Sequence, residues 1–112
     1  MKHESTTHGA YQVIKLHENV DKANSAAFGL LLERELAAGH TLFVIDFTSV
    51  IFIDSSGIGA LVRTYQALVP KSGRIILGGC NNNIRKIFKL IGFQQFFTIT
   101  DNIQQALELA KA

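Results

Sequence analysis

The fold is decided by residues 46–59, which read DFTSVIFIDSSGIG. An apolar run at 41–47 leads into this stretch and is typical of a central strand that is buried on both faces. Residues 54–56 carry the short polar side chains that begin helices, and apolar residues recur at three- and four-residue spacing from Ile58 onward. The stretch therefore predicts a buried strand, a loop and a helix, with helices on both sides of the sheet.

The rest of the chain repeats this alternation of strand and helix. Strands are predicted at 11–16, 41–47, 74–78 and 96–99, and helices at 25–38, from 55 or 56 to 69, at 84–91 and from about 103 onward. Asn82 or Asn83 is expected to cap the third helix, whose inward side chains would be Ile84, Ile87, Phe88 and Ile91. The predicted fold is α/β, with a mostly parallel central sheet of four to five strands flanked by about four helices.

Length and charge set further bounds. The 112 residues predict a single domain, 1–112, in which residues 1–9 form a polar lead ahead of the fold. The net charge of +2 is spread along the chain, which argues against a nucleic-acid partner. The polar lead argues against a signal peptide, and no apolar stretch approaches the ~20 residues of a membrane helix. We therefore expect a cytoplasmic protein without a membrane partner.

The loop and turn after the central strand carry the candidate chemistry. Three apolar residues of the loop are expected to lie against the sheet and to fix the turn at 54–57: Val50, Phe52 and Ile53. Gly57 and Gly59 are expected to permit close approach of the backbone and to leave the first helical turn uncovered. Ser55 and Ser56 would then display one or two hydroxyls at the positive end of a helix, where a phosphate would meet free backbone amides.

The residues alone leave two interpretations of these serines open. Asp, Ser and Ser ahead of a helix with periodic apolar residues are the side chains that cap helices, and such a cap stabilises a helix by about 1 kcal/mol. A functional hydroxyl is the other interpretation. Each of the two glycines in the first turn lowers helix stability by roughly 1 kcal/mol relative to alanine. Their presence favours the functional interpretation, in which another group must approach the helix end closely.

Residues 44–61 resemble the signature of STAS domains, specifically of the bacterial anti-sigma factor antagonists. The resemblance extends over nearly the whole chain and includes Asp21 before the first helix, the turn at 71–73 and the pattern of residues 84–93. One position departs from the family pattern, because Glu18 stands where the family usually has a glycine.

The resemblance implies a function and a site. The second serine of the motif is the family's phosphoacceptor, which makes Ser56 the first candidate and Ser55 the second. Residues implied in partner binding are Asp21, Asp54, Ser55, Ser56, Gly57 and Ile58. The unmodified protein would bind an anti-sigma factor that is also a serine kinase of the histidine-kinase-like ATPase type, and so free a sigma factor. Phosphorylation would separate the pair, and a PP2C-type phosphatase would reset the cycle; the protein itself would be no enzyme and need no cofactor.

Two other functions remain open at this stage. A domain of the same fold could be a subunit of a transporter or lipid-trafficking complex, in which Ser56 stays unmodified. A receiver domain with phospho-aspartate chemistry at Asp46 is the other, but a receiver needs an acidic pair after its first strand to hold Mg²⁺. Glu18 and Asp21 are separated there and form no such pair.

Several other residues have plain structural interpretations. No metal site is predicted, because the four histidines have no ligand spacing. Cys80 is expected to be a small, semi-buried residue rather than a nucleophile, and the basic set of the third helix, Arg85, Lys86 and Lys89, to form a solvated face. Phe93, Phe96 and Phe97 are assigned to the core, and Leu30 to an exposed position.

Overall fold

The computed structural model describes residues 1–111, and the elements below are those of this part of the chain. The strands are β1 His3–His8, β2 Tyr11–Leu16, β3 Leu42–Asp46, β4 Arg74–Gly78 and β5 Thr98–Thr100. The helices are α1 Ser25–Ala37, α2 Ser55–Leu68, α3 Asn82–Leu90 and α4 Ile103–Leu109, with short 3₁₀ turns at Val69–Lys71 and Phe93–Gln95.

The five strands form one sheet in the order β1-β2-β3-β4-β5. β1 runs antiparallel to β2, and every other neighbouring pair is parallel. The predicted α/β class and the mostly parallel sheet are confirmed. Because the carboxyl ends of parallel strands meet at one edge, the loops that follow β2, β3 and β4 lie side by side, which is where open α/β sheets build their sites.

Buried side chains form a layer on each face of the sheet. The larger layer lies under α1, α2 and α3 and includes the fully buried Phe28, Phe43 and Leu61. Within it, the rings of Phe47 and Phe88 meet edge to face at 6.1 Å between centroids. The smaller layer lies under α4 and consists of Tyr11, Val44, Ile76, Ala106 and Ala110. Burial on both faces explains why β3 is apolar throughout.

Residues 1–9 were predicted to be a polar lead ahead of the fold, but they contain the strand β1. All but one of its six residues are exposed, and the strand pairs with β2 from His3 opposite Leu16 to His8 opposite Tyr11. Gly9, at φ 62°, makes the turn between the two strands. Residues 3–8 show no apolar alternation because an edge strand needs only backbone pairing, and a polar edge protects the sheet from further pairing.

The capping residue of α3 differs from the prediction. The cap is Asn81, whose side-chain oxygen accepts the N–H of Ile84 at 2.9 Å, while Asn82 and Asn83 are already helical. Asn81 has the extended backbone that a cap requires, at φ −69° and ψ 171°. The prediction was wrong because three consecutive asparagines can all serve as caps, and local sequence does not choose among them.

Two side chains of α3 predicted to face inward are exposed. Ile84 and Phe88 are buried as expected, whereas Ile87 is 36% and Ile91 48% exposed. The chain returns after the helix and stacks Phe93 on Phe88 at 4.9 Å, which fills the space beside the sheet. Because Phe93 fills this space, fewer side chains of α3 are buried than the sequence predicted.

Two boundaries also shifted. β5 begins at Thr98 rather than at Phe96, because the N–H of Phe97 bonds to the carbonyl of Phe93 and keeps that segment in a turn. Val69, predicted on the buried stripe of α2, is exposed because the chain has already entered the 3₁₀ turn.

Candidate functional site

The loops after β2 and β3 are joined by backbone hydrogen bonds. Val20 forms a parallel bridge with Ile53: its N–H bonds to the carbonyl of Phe52 at 3.1 Å, and its carbonyl accepts the N–H of Asp54 at 3.0 Å. This pairing places Asp21 and Asp54, the residues that follow the bridge, at one edge of the sheet. The structure thus brings together two residues that are 33 positions apart in the sequence.

Asp54 is the cap of α2. Its backbone is extended, and its oxygen Oδ1 accepts the N–H of Ser56 at 3.0 Å and that of Gly57 at 3.2 Å. The pKa of Asp54 is lowered, first by the hydroxyl of Ser56 and further by the N–H groups of Gly57, Ser56 and Lys22, against an opposing effect of burial. The side chain is therefore a carboxylate at neutral pH, as the helix dipole also favours.

Ser56 is the second residue of α2, and its hydroxyl has a fixed partner. Oγ donates to Oδ1 of Asp54 at 2.6 Å, and the side chain is half-buried. Ser55, the first residue of the helix, is exposed. Asp54 therefore supplies the cap, and the two serines are the first two residues of the helix.

Gly57 is buried rather than uncovered. A Cβ at this position would lie 2.6 Å from Cγ1 of Val20 and 2.8 Å from Cγ1 of Ile53, so glycine lets α2 rest directly on the bridged loops. Close approach was predicted correctly, but the open first turn was not. Ile58 follows half-buried and packs against the larger layer of the core.

The apolar loop residues divide into two pairs. Val50 and Ile53 are buried, as predicted. Phe52 was predicted to lie against the sheet but is 50% exposed, and its neighbour Ile51 is 72% exposed. The prediction for Phe52 was wrong because the loop is held from outside by the side chain of Asn19, which accepts the N–H groups of both exposed residues.

Asp21 organises the start of α1. Its Oδ1 accepts the N–H of Ala23 at 2.9 Å, and its own N–H donates to Oδ1 of Asn24 at 2.9 Å. Glu18, which replaces the usual glycine, uses Oε2 to accept the N–H of Lys2 at 2.6 Å. The replacement therefore connects the β2 loop to the beginning of the chain.

Other chemically capable residues are engaged elsewhere. The carboxylate of Asp46 accepts the N–H and the hydroxyl of Thr48. Cys80 is buried, and burial raises the pKa of its thiol to about 12, which leaves it protonated and unreactive at neutral pH. Within residues 1–111, no three His, Cys, Asp or Glu residues are grouped so that they could hold a metal ion.

The remaining candidates lie outside the loops after β2 and β3. Arg85 pairs with Asp101, while Lys86 and Lys89 stand beside it on α3. Phe93 and Phe97 are core residues as predicted, but Phe96 is exposed. It lines a groove of about 320 Å³ together with Val62, Tyr65, Gln66, Ile91, Phe93 and Phe97. Leu30 is exposed, as predicted.

Sequence reasoning missed Asn19 and Ile51 as parts of this edge. Nothing in the local sequence pairs Asn19 with a loop more than 30 positions away.

None of the helices described is long and apolar enough to cross a membrane.

The structure is a small α/β domain with a mostly parallel sheet, and Ser56 lies at the start of the helix that follows the central strand, bonded to the capping Asp54. The STAS domain model matches residues 3–106, and the chain belongs to this family.

Curated relatives are similar over part of their length. A STAS-domain containing protein of Pseudomonas aeruginosa is 29% identical over 58 residues, which are 52% of this chain and 57% of that protein. The anti-sigma-B factor antagonist of Listeria monocytogenes is 27% identical over 55 residues, 49% of this chain and 48% of that protein. The chain spans about half the length of the curated relatives it matches.

Solved structures share the fold over nearly the whole chain. A Thermotoga maritima protein superposes with a TM-score of 0.88 at 19% identity, covering 95% of this chain and 92% of that one. The unphosphorylated anti-sigma factor antagonist SpoIIAA superposes with a TM-score of 0.75 at 23% identity, covering 97% and 96%. A sulfate transporter family protein from Wolinella succinogenes superposes with a TM-score of 0.77 at 16% identity, covering 90% of this chain and 84% of that one. These likenesses establish the α/β STAS fold.

Proposed function

We propose that this protein is an anti-sigma factor antagonist: a cytoplasmic, non-enzymatic binding module that is controlled by phosphorylation of Ser56. The observation that carries the proposal is the hydroxyl of Ser56 at the start of α2, oriented by Oδ1 of Asp54 at 2.6 Å. The similarity to the Listeria anti-sigma-B factor antagonist and the fold shared with SpoIIAA support it.

The proposed partner is an anti-sigma factor that is also a serine kinase of the histidine-kinase-like ATPase type. The unmodified protein binds this kinase and so frees a sigma factor. In the transfer step, Oγ of Ser56 bonds to the γ-phosphorus of ATP, the bond to the bridging oxygen breaks, ADP leaves and the hydroxyl proton is released. A PP2C-type phosphatase then hydrolyses the phosphoserine to serine and inorganic phosphate.

The site favours dissociation without refolding. A phosphoryl group brings about −1.5 to −2 charges to Ser56, beside the carboxylate of Asp54 and at the same edge as Asp21. In water, the start of a helix tolerates such a group. In a close interface, the same charge would be desolvated next to like charges. A ten- to hundredfold loss of affinity requires only about 1.4–2.8 kcal/mol.

The alternative is a STAS subunit of a transporter or lipid-trafficking complex without a phosphoswitch. The fold shared with the Wolinella sulfate transporter family protein keeps this function in view, because the fold alone serves both classes. Under this alternative, Ser56 would carry no phosphate in cells.

Intact-mass measurement and peptide mapping of the protein purified from its native cells separate the two functions. We expect two species that differ by one phosphate, with the phosphate on the peptide that contains residues 54–57. Replacing Ser56 by Ala should remove the heavier species, and replacing Ser55 by Ala should retain it. An unmodified protein under every growth condition, co-purifying with a membrane transporter, would favour the alternative.

A further inference from the structure

Two large apolar side chains project from the loop between β3 and α2. Ile51 is 72% exposed and Phe52 is 50% exposed, although Val50 and Ile53 on either side of them are buried. Single exposed apolar residues are ordinary, but two adjacent ones beside a candidate site mark a surface that another molecule can cover. We refer to Ile51 and Phe52 together as the apolar knob.

Hydrogen bonds from neighbouring loops hold the backbone of the knob. Oδ1 of Asn19 accepts the N–H of Ile51 at 2.8 Å and that of Phe52 at 3.2 Å. Nδ2 of Asn81 donates to the carbonyl of Ile51 at 3.3 Å, and the N–H of Val20 donates to the carbonyl of Phe52. The knob is therefore fixed by the loops after β2 and β4, so its two side chains are presented in advance of binding.

Asn19 is held in place by its own loop. Its carbonyl accepts Nδ2 of Asn24 at 2.6 Å, and Oδ1 of Asn24 in turn accepts the N–H of Asp21 at 2.9 Å. A single amide side chain thus links the loop that carries Asp21 to the loop that leads into Ser56. Because both N–H groups of the knob share one acceptor, removing that acceptor releases two backbone positions together.

We propose that Ile51 and Phe52 form the apolar centre of the surface that contacts the anti-sigma factor, with Asn19 as the residue that positions them beside Ser56. This inference rests on the proposed function. The occupant is an apolar pocket of the same kinase that phosphorylates Ser56. The knob lies next to the candidate phosphoacceptor, since Phe52 and Asp54 both bond to the backbone of Val20 and Asp54 accepts the hydroxyl of Ser56.

The knob also supplies what the phosphoswitch requires. A phosphate at the start of a helix in open water would cost a complex little, because water and backbone amides solvate it. Burial of Ile51 and Phe52 by the partner excludes water from the neighbouring Ser56, and a charge placed in such a dry contact is costly. The apolar contact therefore makes one phosphoryl group sufficient to separate the two proteins.

Photo-crosslinking in the native cells tests the surface. A benzophenone-bearing residue at position 51 should capture the kinase that phosphorylates Ser56, and the Ser56→Asp variant should abolish that capture. The same residue at position 69 is the matched control, because Val69 is a similarly exposed apolar residue that follows the opposite end of α2. Equal capture at both positions would overturn the proposal.

Titration with that kinase, once captured and purified, measures how much each of these residues contributes to binding. Ile51→Ala and Phe52→Ala should each weaken binding about tenfold, as central interface residues do, and Val69→Ala should leave it within about twofold. Asn19→Ala should weaken binding with the knob intact and should speed hydrogen exchange at the amides of residues 51 and 52. Asn19→Asp keeps the acceptor and should restore slow hydrogen exchange at residues 51 and 52.

The outcomes distinguish this inference from the function on which it rests. If Ser56 is phosphorylated and Ser56→Asp releases the kinase while the knob variants bind normally, the function stands and the knob proposal fails. If Ser56 is never phosphorylated, the function itself fails. Unchanged exchange at residues 51 and 52 in Asn19→Ala would remove Asn19 from its role. Thermal unfolding of every variant shows whether the fold is retained.

Discussion

Oγ of Ser56 lies 2.6 Å from Oδ1 of Asp54, the residue that caps the helix in which Ser56 stands. One carboxylate oxygen therefore serves both the first helical amides and the candidate phosphoacceptor. Phosphorylation removes the hydroxyl hydrogen that makes this bond and puts phosphate oxygens near the carboxylate.

The two serines of the motif should behave differently toward a kinase. Replacing Ser56 by Ala should abolish phosphorylation by the cognate kinase, while Ser55→Ala should retain it. The reason is that Oγ of Ser56 is oriented by Asp54, whereas Ser55 is the exposed first residue of the helix. Phosphate incorporation measured by intact mass checks this. Stoichiometric phosphorylation of the Ser56→Ala protein would assign the site to another residue.

A permanent negative charge at Ser56 should separate binding from folding. Ser56→Asp should weaken binding to the anti-sigma factor by about tenfold or more, the result of about 1.4 kcal/mol or more of repulsion and desolvation. The helix start tolerates the charge, so the thermal unfolding temperature should change little. Calorimetric titration and thermal unfolding together check both parts. An equal loss of stability and binding would point to misfolding instead.

The two glycines of the first turn should have opposite responses to alanine. Gly57→Ala should destabilise the protein by about 1–3 kcal/mol, because the new methyl group would overlap Val20 and Ile53 at 2.6 and 2.8 Å. Gly59→Ala should be neutral or stabilising by up to about 1 kcal/mol, since its nearest contact is the flexible guanidinium of Arg63 at 3.3 Å. Urea unfolding measures both, and equal effects would refute the packing argument.

The stability of the protein should depend on pH through the ionisation of Asp54. Its pKa in the folded protein is lowered from 3.8, so its contribution is complete above that value and declines as the pH falls through the folded pKa. Asn at this position can still cap the helix but cannot ionise. The difference in unfolding free energy between the wild type and Asp54→Asn should therefore shrink as the pH falls from above 3.8 through the folded pKa. A difference that stays constant with pH would contradict this.

Cys80 should resist alkylation while the protein is folded. Burial raises the pKa of its thiol to about 12, so almost no thiolate is present at pH 8 and the sulfur is inaccessible. Labelling with iodoacetamide at pH 8 should be slow in buffer and fast in denaturant. Rapid labelling of the native protein would show that this end of β4 opens readily.

Local patterns were sufficient for much of the architecture. The alternation at 11–16 and the apolar run ahead of Asp46 predicted β2 and β3 closely, because burial on one or two faces leaves a direct trace in the sequence. β1 left no such trace, since it is polar and exposed and exists through pairing with β2. The cap of α3 and the exposure of Ile87 and Ile91 depended on neighbours that local patterns do not contain.

Periodicity, capping chemistry and family resemblance were enough to predict the α/β class, the helix that begins at residues 54–56 and the candidate hydroxyl. The way in which the hydroxyl is presented depends instead on tertiary contacts. Val20 bridges Ile53, Asn19 reaches the amides of Ile51 and Phe52, and Gly57 is buried by the same loops. These contacts join residues more than 30 positions apart, and parallel strand order, which no local pattern encodes, brings them together.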